Sequence, residues 1–410
     1  MPSSSDIPWH LGIHDAHCHP TDTPTTLSLI PSLQTTTLTI MSTRFEDQPL
    51  VASTASQHPT TTIPSFGHHP WFSYLLYDSS SPHLCSLTSS PAELKKAHYT
   101  HVLHSAPSDD FLALLPAPTE LSTVLDELRE RLQRFPNALV GEIGMDRGFR
   151  LPLLEEPVTA PGATPLRKEG QRLSDYRVTI EHQKTVFEAQ LRVAGELGRA
   201  VSVHGVGCHG AVFEVMRGLW KGRERQVERW RERRRRRRKV AEGEYEFLPD
   251  MAESDFEDDE DGEDGDGEKM QEKETRSRVE SSRSYTPQPF PPRLCLHSFS
   301  APLQQLEQWL KPPSPTTRYP SDVFFSFSTT INASPVRGHL SKVEELIKRV
   351  PENAVLVESD LHTAGPEIDK ALAEAVRFVC RVRGWGMEDG VRRLARNWRR
   401  FVYGDEEGGM

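Results

Sequence analysis

Short apolar runs recur along the chain, and most precede a stretch in which apolar residues return every three or four positions. Runs of four to eight residues rich in β-branched or aromatic side chains are typical of strands buried in a parallel sheet. The pattern predicts eight such strands, which are Gly12–His17, Thr36–Met41, Thr61–Gly67, Ala138–Ile143, Ala200–His204, Arg293–His297, Val323–Ser328 and Val355–Ser359.

Helical spacing follows several of these strands. Leucines at positions 121, 125, 128 and 132 predict a helix over Leu121–Phe135, and Gln48–His58 carries a weaker pattern. Eight alternations of strand and helix favour an α/β fold with one closed (β/α)8 TIM barrel over an open, doubly wound sheet. Further helices are predicted over Asp175–Leu197, Val336–Val350 and Glu367–Arg383.

Three stretches interrupt this alternation. We predict one barrel formed by residues 1–220 and 293–404, with loop insertions at 73–118 and 151–170 and a larger insertion at 221–292. Lys221–Lys239 contains 12 basic and 3 acidic residues, whereas Glu242–Glu268 contains 15 acidic residues and no basic one. This charged segment has no apolar periodicity, so it cannot bury enough surface to offset chain entropy, and we expect it to be largely disordered.

Charge and composition narrow the class of protein. The net charge of −10 belongs mainly to the acidic tract, so no global field attracts nucleic acid to the barrel. Five scattered cysteines without a CxxC pair suit a reducing compartment. The sequence shows neither a secretory signal nor an apolar run long enough to span a membrane, so we expect a cytoplasmic or nuclear protein with no membrane partner.

Candidate metal ligands lie at the ends of the predicted strands. Because side chains two residues apart in a strand point the same way, His17 and His19 could bind one metal ion, with Asp15 orienting an imidazole. Two polar histidines at a strand end would give the same pattern. Glu142 follows an apolar strand and could bridge two cations, although a solvated acid in a loop would also fit.

The same arrangement recurs on three further strands. His204 and His297 each end a short apolar run, and Glu358 and Asp360 follow another, with Glu358 either supporting the site or simply structural. Barrel enzymes place catalytic groups at the carboxyl ends of their strands. Four histidines with two carboxylates, Glu142 and Asp360, form a mixed nitrogen and oxygen site suited to zinc, manganese or magnesium.

Seven motifs occur in one order along the chain, and they are DAHCH (Asp15–His19), GHHPW (Gly67–Trp71), GEIGMD (Gly141–Asp146), QKTVFEAQLRVAGELGRAVSVH (Gln183–His204), LHSFS (Leu296–Ser300), VESD (Val357–Asp360) and NWRRF (Asn397–Phe401). With these motifs the chain resembles the TatD family of metal-dependent deoxyribonucleases, within the metal-hydrolase barrels. Its long insertions resemble those of a fungal branch of TatD-like interaction partners.

The resemblance implies two divalent ions and a role for each residue. His17, His19 and Asp360 would bind the first ion, Glu142 would bridge, and His204 and His297 would bind the second. It also places His69 near the scissile phosphate, where a histidine that merely packs in the loop is the alternative. Two motifs depart from the family: Gly205-Val206 stands where an arginine is expected after His204, and Ser359–His362 replaces TDxP.

These features lead to a hypothesis of phosphodiester hydrolysis, most simply of DNA. Two cations would lower the pKa of a water molecule toward ~7, the resulting hydroxide would attack phosphorus, and Asp360 would act as general base. One alternative is an amidohydrolase-like enzyme acting on a small substrate, disfavoured because Glu142 stands where a carboxylated lysine would bridge.

The other alternative is an interaction or scaffold protein with little or no catalysis, which binds a protein partner through residues 221–292. Arg233–Arg238 could contact nucleic acid, direct nuclear import or pair with the acidic tract.

Overall fold

Eight parallel strands form the centre of the protein. The computed structural model describes residues 7–82, 90–158, 172–227, 285–332 and 340–404. The strands are β1 His14–Cys18, β2 Thr37–Met41, β3 Thr62–Phe66, β4 Leu139–Asp146, β5 Val201–Val206, β6 Arg293–Leu296, β7 Asp322–Phe327 and β8 Val355–Val357.

The strands lie side by side in chain order, and each pairs in parallel with the next. Between β8 and β1 the ring is joined just past the strand ends, where Asp360 N donates to His17 O (3.0 Å) and His19 N donates to Leu361 O (2.8 Å). The buried Asp15 carboxylate adds hydrogen bonds from Ser359 N (3.0 Å) and Ser359 Oγ (2.5 Å). The predicted TIM barrel is therefore confirmed, as a nearly closed sheet.

Helices follow most of the strands. The predicted helix after β4 begins at Ile180 rather than Asp175, because Thr179 caps it by accepting a hydrogen bond from His182 N. Residue 336, where another predicted helix begins, lies outside the described residues. The helices are α1 Gln48–Gln57, α2 Pro91–Val102, α3 Asp109–Leu114, α4 Leu121–Arg134, α5 Ile180–Glu196, α6 His209–Trp220, α7 Leu303–Leu310, α8 Leu340–Arg349, α9 Glu367–Arg383 and α10 Met387–Tyr403.

The barrel has two apolar layers. The larger cluster packs the strands against the surrounding helices. The smaller one takes one residue from each of six strands, Ala200 just before β5, and Trp398, Phe401 and Val402 of α10. Trp398 stacks on His14 at the start of β1 (4.1 Å between ring centroids), and Arg293 at the start of β6 donates to Phe401 O (2.8 Å). Helix α10 therefore covers the end where the strands begin and leaves their carboxyl ends for chemistry.

The expected loop insertion at residues 73–118 contains helices α2 and α3, so the prediction of a loop was wrong there. Ser90 and Ser108 are side-chain N-caps that accept hydrogen bonds from Glu93 N and Phe111 N. Serine and proline, which suggest loops by composition, here start helices. The two helices bury their own small apolar cluster with residues that flank the barrel, including Leu151 and Val178.

The other two insertions are only partly described. Of the 151–170 insertion, Pro152 forms a bridge to Leu173, while residues 159–171 lie outside the described part. In the charged insertion, Arg225–Gln226 pairs antiparallel with Thr317–Arg318, and Phe290 is buried in the outer apolar layer. Residues 228–284 lie outside the described part, so the predicted disorder and domain boundaries stay predictions.

The described residues of the barrel belong to one compact unit, which falls within Met1–Gln226 and Pro287–Gly404. Within the described ranges, no helix is both long and apolar enough to cross a membrane.

Candidate metal centre

Six side chains predicted from the sequence converge at the carboxyl ends of the strands. Glu142 of β4 lies at the centre, and its two carboxylate oxygens face two different groups of histidines. The side chain of Glu142 is only 5% exposed. The other members of the cluster are His17, His19, His204, His297 and Asp360.

Glu142 Oε2 faces the two histidines at the end of β1. It lies 3.2 Å from His19 Nε2 and 3.4 Å from His17 Nε2, and the two imidazole nitrogens are 3.1 Å apart. Asp360 Oδ1 lies 3.8 Å from both nitrogens. Two imidazoles and two carboxylates therefore face one point.

Glu142 Oε1 faces the histidines at the ends of β5 and β6. It lies 2.7 Å from His204 Nδ1 and 2.8 Å from His297 Nε2, which are hydrogen-bond lengths, and these two nitrogens are 3.2 Å apart. Because each oxygen of Glu142 faces its own pair of imidazoles, this carboxylate is placed as a bridge between two groups of ligand atoms.

The separations among the donor atoms of His17, His19 and Glu142 fit a metal ion, whereas Glu142 Oε1 lies at hydrogen-bond distance from His204 and His297. An ion with ligands at about 2.1 Å, in tetrahedral or octahedral geometry, holds neighbouring donors about 3.0–3.4 Å apart. The three separations among His17, His19 and Glu142 lie in this range, between 3.1 and 3.4 Å. Buried His297 Nδ1 has no hydrogen-bond partner among the described residues. The donors are imidazole and carboxylate, the set that suits zinc, manganese or magnesium.

His69 also reaches Glu142 but in a different role. Its Nδ1 accepts a hydrogen bond from Trp71 N (3.2 Å), so the ring proton is assigned to Nε2, which lies 3.3 Å from Glu142 Oε1. Burial lowers the pKa of His69 to about 4, against the opposing effect of Glu142, so the ring is neutral. A ring nitrogen of His69 lies within 4.8 Å of possible ligand atoms of Glu142 and His204, but the proton on Nε2 makes His69 a hydrogen-bond donor.

Electrostatics divide the histidines into two kinds. Burial opposes charge on His19, but the hydrogen bond and charge of Glu142, with Asp360 and Asp22, raise the pKa of His19 to about 9. Burial and the neighbouring His297 instead lower the pKa of His17 to about 3.

The pKa of Glu142 reflects the same crowding. Burial would raise the pKa of this carboxyl, but His69, His297 and His17 together hold it well below its usual range. The cluster therefore carries a firmly ionised carboxylate and a mixture of neutral and protonated rings.

Two supporting residues were missed by sequence analysis. Ser202 Oγ lies 2.8 Å from His17 Nδ1, and Asp146 Oδ2 lies 3.3 Å from His204 Nε2. Spacing offered a signal for both, because Ser202 lies two residues before His204, and Asp146 four after Glu142, which places each on its neighbour's face of a strand.

Strand β4 also runs further than predicted, to Asp146. Gly144, with φ of +150°, allows this, because a Cβ there would collide with the backbone of His204 in β5.

A buried carboxylate holds the end of β8. Glu358 Oε1 accepts hydrogen bonds from Ser298 N (2.8 Å) and Ser298 Oγ (2.5 Å), and Glu358 Oε2 accepts one from Ser326 Oγ. Ser298 and Asp360 both adopt left-handed backbone conformations, with φ of +42° and +52°. Such conformations cost about 1–3 kcal/mol each and persist where surrounding contacts impose them. Glu358 supplies such contacts to Ser298, whose Oγ lies 3.4 Å from Asp360 Oδ2, and His17 O accepts a hydrogen bond from Asp360 N.

The prediction that Asp15 orients an imidazole was wrong. Its carboxylate accepts hydrogen bonds from the backbone N–H groups of His17 and Ser359 and from the Ser359 hydroxyl. Asp15 therefore joins β1 to the end of β8, and Ser202 provides the polar contact to the His17 ring instead.

Two departures from the family motifs shape the rim. Val206, where an arginine was expected, has 45% of its surface exposed. His362 stacks on the His19 ring (5.1 Å between centroids), and its Nδ1 lies 2.7 Å from Asp22 Oδ2. The rim beside His204 therefore carries a valine in place of the expected arginine, and the rim beside His19 carries an imidazole.

A barrel with histidines and acids at its strand ends is typical of metal-dependent hydrolases. Residues 14–403 match the family described as TatD related DNase. The chain belongs to the TatD-related DNase family, which is a metal-dependent one.

Two related proteins are similar over most of their length. The Cut9-interacting protein scn1 of Schizosaccharomyces pombe is 34% identical over 390 residues, covering 95% of this chain and 98% of that protein. An uncharacterized deoxyribonuclease of Saccharomyces cerevisiae is 24% identical over 352 residues, covering 82% of this chain and 80% of that protein.

Two solved structures match most of the chain at low sequence identity. The TatD homologue YjjV of Escherichia coli K12 is 16% identical with a TM-score of 0.46, covering 95% of this chain and 97% of that one. An uncharacterized amidohydrolase of Saccharomyces cerevisiae is 11% identical with a TM-score of 0.48, covering 95% and 99%.

The link between Asp146 and His204 has a measurable consequence. Burial opposes charge on His204, but Asp146 and Glu142 raise its pKa to about 9. In the EDTA-treated protein, Asp146→Asn should lower the pKa of His204 toward 6.5, because a neutral amide replaces one of the two anions. Titration of the histidine ring signals by NMR would measure the change. Asp109→Asn, whose side chain is 86% exposed, is the matched control. An unchanged His204 pKa in Asp146→Asn would show that Asp146 does not act on this ring.

Proposed function

We propose that this chain is a divalent-metal-dependent phosphodiesterase, and specifically a deoxyribonuclease. The observation that carries the proposal is the position of Glu142, whose two oxygens face two different groups of imidazoles. Family membership supports hydrolysis of DNA, and the donor set supports two hard or borderline cations, Mg²⁺, Mn²⁺ or Zn²⁺.

The proposed ligands follow from the two groups of atoms. His17, His19 and Asp360 would hold one ion, His204 and His297 the other, and Glu142 would bridge. When bound, such ions supply Lewis acidity and lower the pKa of a water molecule. Ser202 orients the His17 ring, while Asp146 orients His204, so that the ligand nitrogens stay aimed at the centre of the cluster.

Two residues are proposed to act on the substrate. Asp360 takes the proton of the attacking water at its carboxylate, which accepts a hydrogen bond from Ser298 Oγ at the mouth. His69, neutral and with its proton on Nε2, donates a hydrogen bond toward the scissile phosphate at the side of Glu142. Both side chains lie at the carboxyl ends of strands, where a substrate enters a barrel.

Cleavage of a single-stranded oligonucleotide by the purified chain tests the proposal. With Mg²⁺, Mn²⁺ or Zn²⁺ added we expect cleavage, and with EDTA none. Asp360→Ala should lower the rate by about 10²–10⁴-fold because it removes the proton acceptor, and His17→Ala should lower it through loss of a metal ligand. Product formation on denaturing gels gives the rates.

The matched control for the histidine is His10→Ala, which changes an exposed histidine outside the cluster. Its rate should equal that of the wild type. Cleavage that persists unchanged in Asp360→Ala and His17→Ala would contradict the assignment of these residues.

A second candidate is an interaction protein that keeps the barrel with little or no catalysis. The relative that matches 98% of its own length is named for interaction with Cut9, and exposed Val206 replaces a residue expected to contact phosphate. In this case residues 221–292 would provide the contact surface. The cytoplasmic or nuclear location also stays a prediction.

Removal of the charged segment separates the two candidates. Residues 228–284 would be replaced by a short Gly-Ser linker, which keeps Arg225–Gln226 in its strand pair and leaves buried Phe290 in place. An enzyme should keep its bound metal and its turnover. A scaffold should lose binding to the Cut9 counterpart of its own organism, measured with purified proteins.

If the shortened chain keeps both turnover and that binding, the segment is not the contact surface. If it loses turnover with an unchanged thermal transition, the insertion acts in catalysis and the barrel alone does not account for activity.

A further inference from the structure

Trp71 lies at the mouth of the barrel beside the candidate metal centre. Its ring centroid is 4.7 Å from that of His69 and 6.3 Å from that of His204. The residue is nevertheless 41% exposed, although burial of a tryptophan in a core would be strongly favourable. The exposed indole is therefore close enough to His69 and His204 to contact a ligand bound at the candidate metal centre.

One carboxylate holds this ring and its neighbour in place. Trp71 Nε1 donates to Asp146 Oδ2 (2.6 Å), while Asp146 Oδ1 accepts from Gly148 N (2.7 Å) and Phe149 N (3.1 Å). The Trp71 and Phe149 rings stack with centroids 5.5 Å apart and planes at 14°. Since Asp146 also contacts His204, the orientation of the aromatic pair is coupled to that of a proposed metal ligand.

Strand β5 places an apolar side chain, Val206, beside the pair, and the exposed Arg147 donates its backbone N–H to Val206 O (2.9 Å). The Val206 side chain lies against Gly148, and Val206 is 45% exposed. This is the position where sequence analysis expected an arginine to grip phosphate. The rim near His204 therefore offers ring faces and a branched apolar side chain next to one arginine, Arg147, whereas the carboxylates and imidazoles of the cluster are buried.

We propose that Trp71, backed by Phe149, is a stacking platform for a nucleobase next to the scissile phosphodiester, which selects unpaired bases. The inference rests on the proposed function. A base in a duplex has both faces covered by its neighbours, whereas an unpaired base can offer one face to an aromatic ring. Stacking is tolerant of base identity because every base has a π-face, so the platform favours single strands without reading sequence.

Binding of two fluorescent decamers to the full chain in EDTA tests the platform without cleavage. One is thymidine decanucleotide, and the other is the same length with abasic tetrahydrofuran residues. The two have equal phosphate charge, so contacts from Arg147 or from Arg233–Arg238 contribute equally to both. We expect the wild type to bind the base-bearing probe about 5- to 150-fold more tightly, the range for stacking of one base.

Three variants locate the effect. Trp71→Ala should bind both probes with similar affinity, and Trp71→Phe should keep most of the preference because it keeps a ring while losing the Nε1 donor. Tyr403→Ala, which removes a ring of equal exposure (41%) at the end of α10, should behave as the wild type.

Two results would overturn the proposal: a wild type that binds the two probes equally or binds neither, and a Trp71→Ala variant that keeps the preference. Cleavage of the abasic decamer by the wild type in Mn²⁺ would in that case leave the phosphodiesterase proposal standing. Conversely, a base preference without any cleavage would support the platform and not the hydrolase.

Discussion

The architecture of the site depends on one buried carboxylate surrounded by imidazoles. Glu142 is 5% exposed and has five histidine rings within 3.4 Å of its oxygens. Removing one partner of a buried ion pair typically costs about 3–5 kcal/mol, so the rings and the carboxylate must stay together. Protons on some of the rings can meet this constraint, and so can cations shared among them. The second solution engages both oxygens of Glu142 and the four histidines proposed as ligands, which is why we favour it.

The fold holds the imidazoles close to Glu142. The rings come from β1, β5 and β6 and the loop after β3, which parallel pairing brings to one end of the barrel. The closing contacts at β1 and β8 fix the remaining member, Asp360, in a left-handed conformation that Glu358 and Ser298 support. Helix α10 blocks the opposite end through Trp398. The stability of the barrel and the position of its donors therefore arise from the same contacts.

Sequence patterns predicted the barrel and predicted that all six cluster residues lie at one end of it. The end of each strand could be recognised because an apolar run is followed there by a histidine or an acidic residue. They predicted less about the residues that hold the cluster residues in place. Asp15 was expected to orient an imidazole because it is near His17 in sequence. Its carboxylate instead accepts hydrogen bonds from Ser359, which join β1 to the end of β8. The partner of Ser202 is 185 residues away, and such pairings follow only from packing. Serine-rich composition hid α2 and α3 because an N-cap and a turn use the same residues.

The most direct test of the account is the metal content of the purified full chain after equilibrium dialysis against Zn²⁺ or Mn²⁺, measured by elemental analysis. The account predicts about two ions per chain and a clear loss in Glu142→Gln, because one carboxylate faces both groups of imidazoles. A wild-type chain that binds no divalent metal, or a Glu142→Gln chain that binds as much as the wild type, would contradict it.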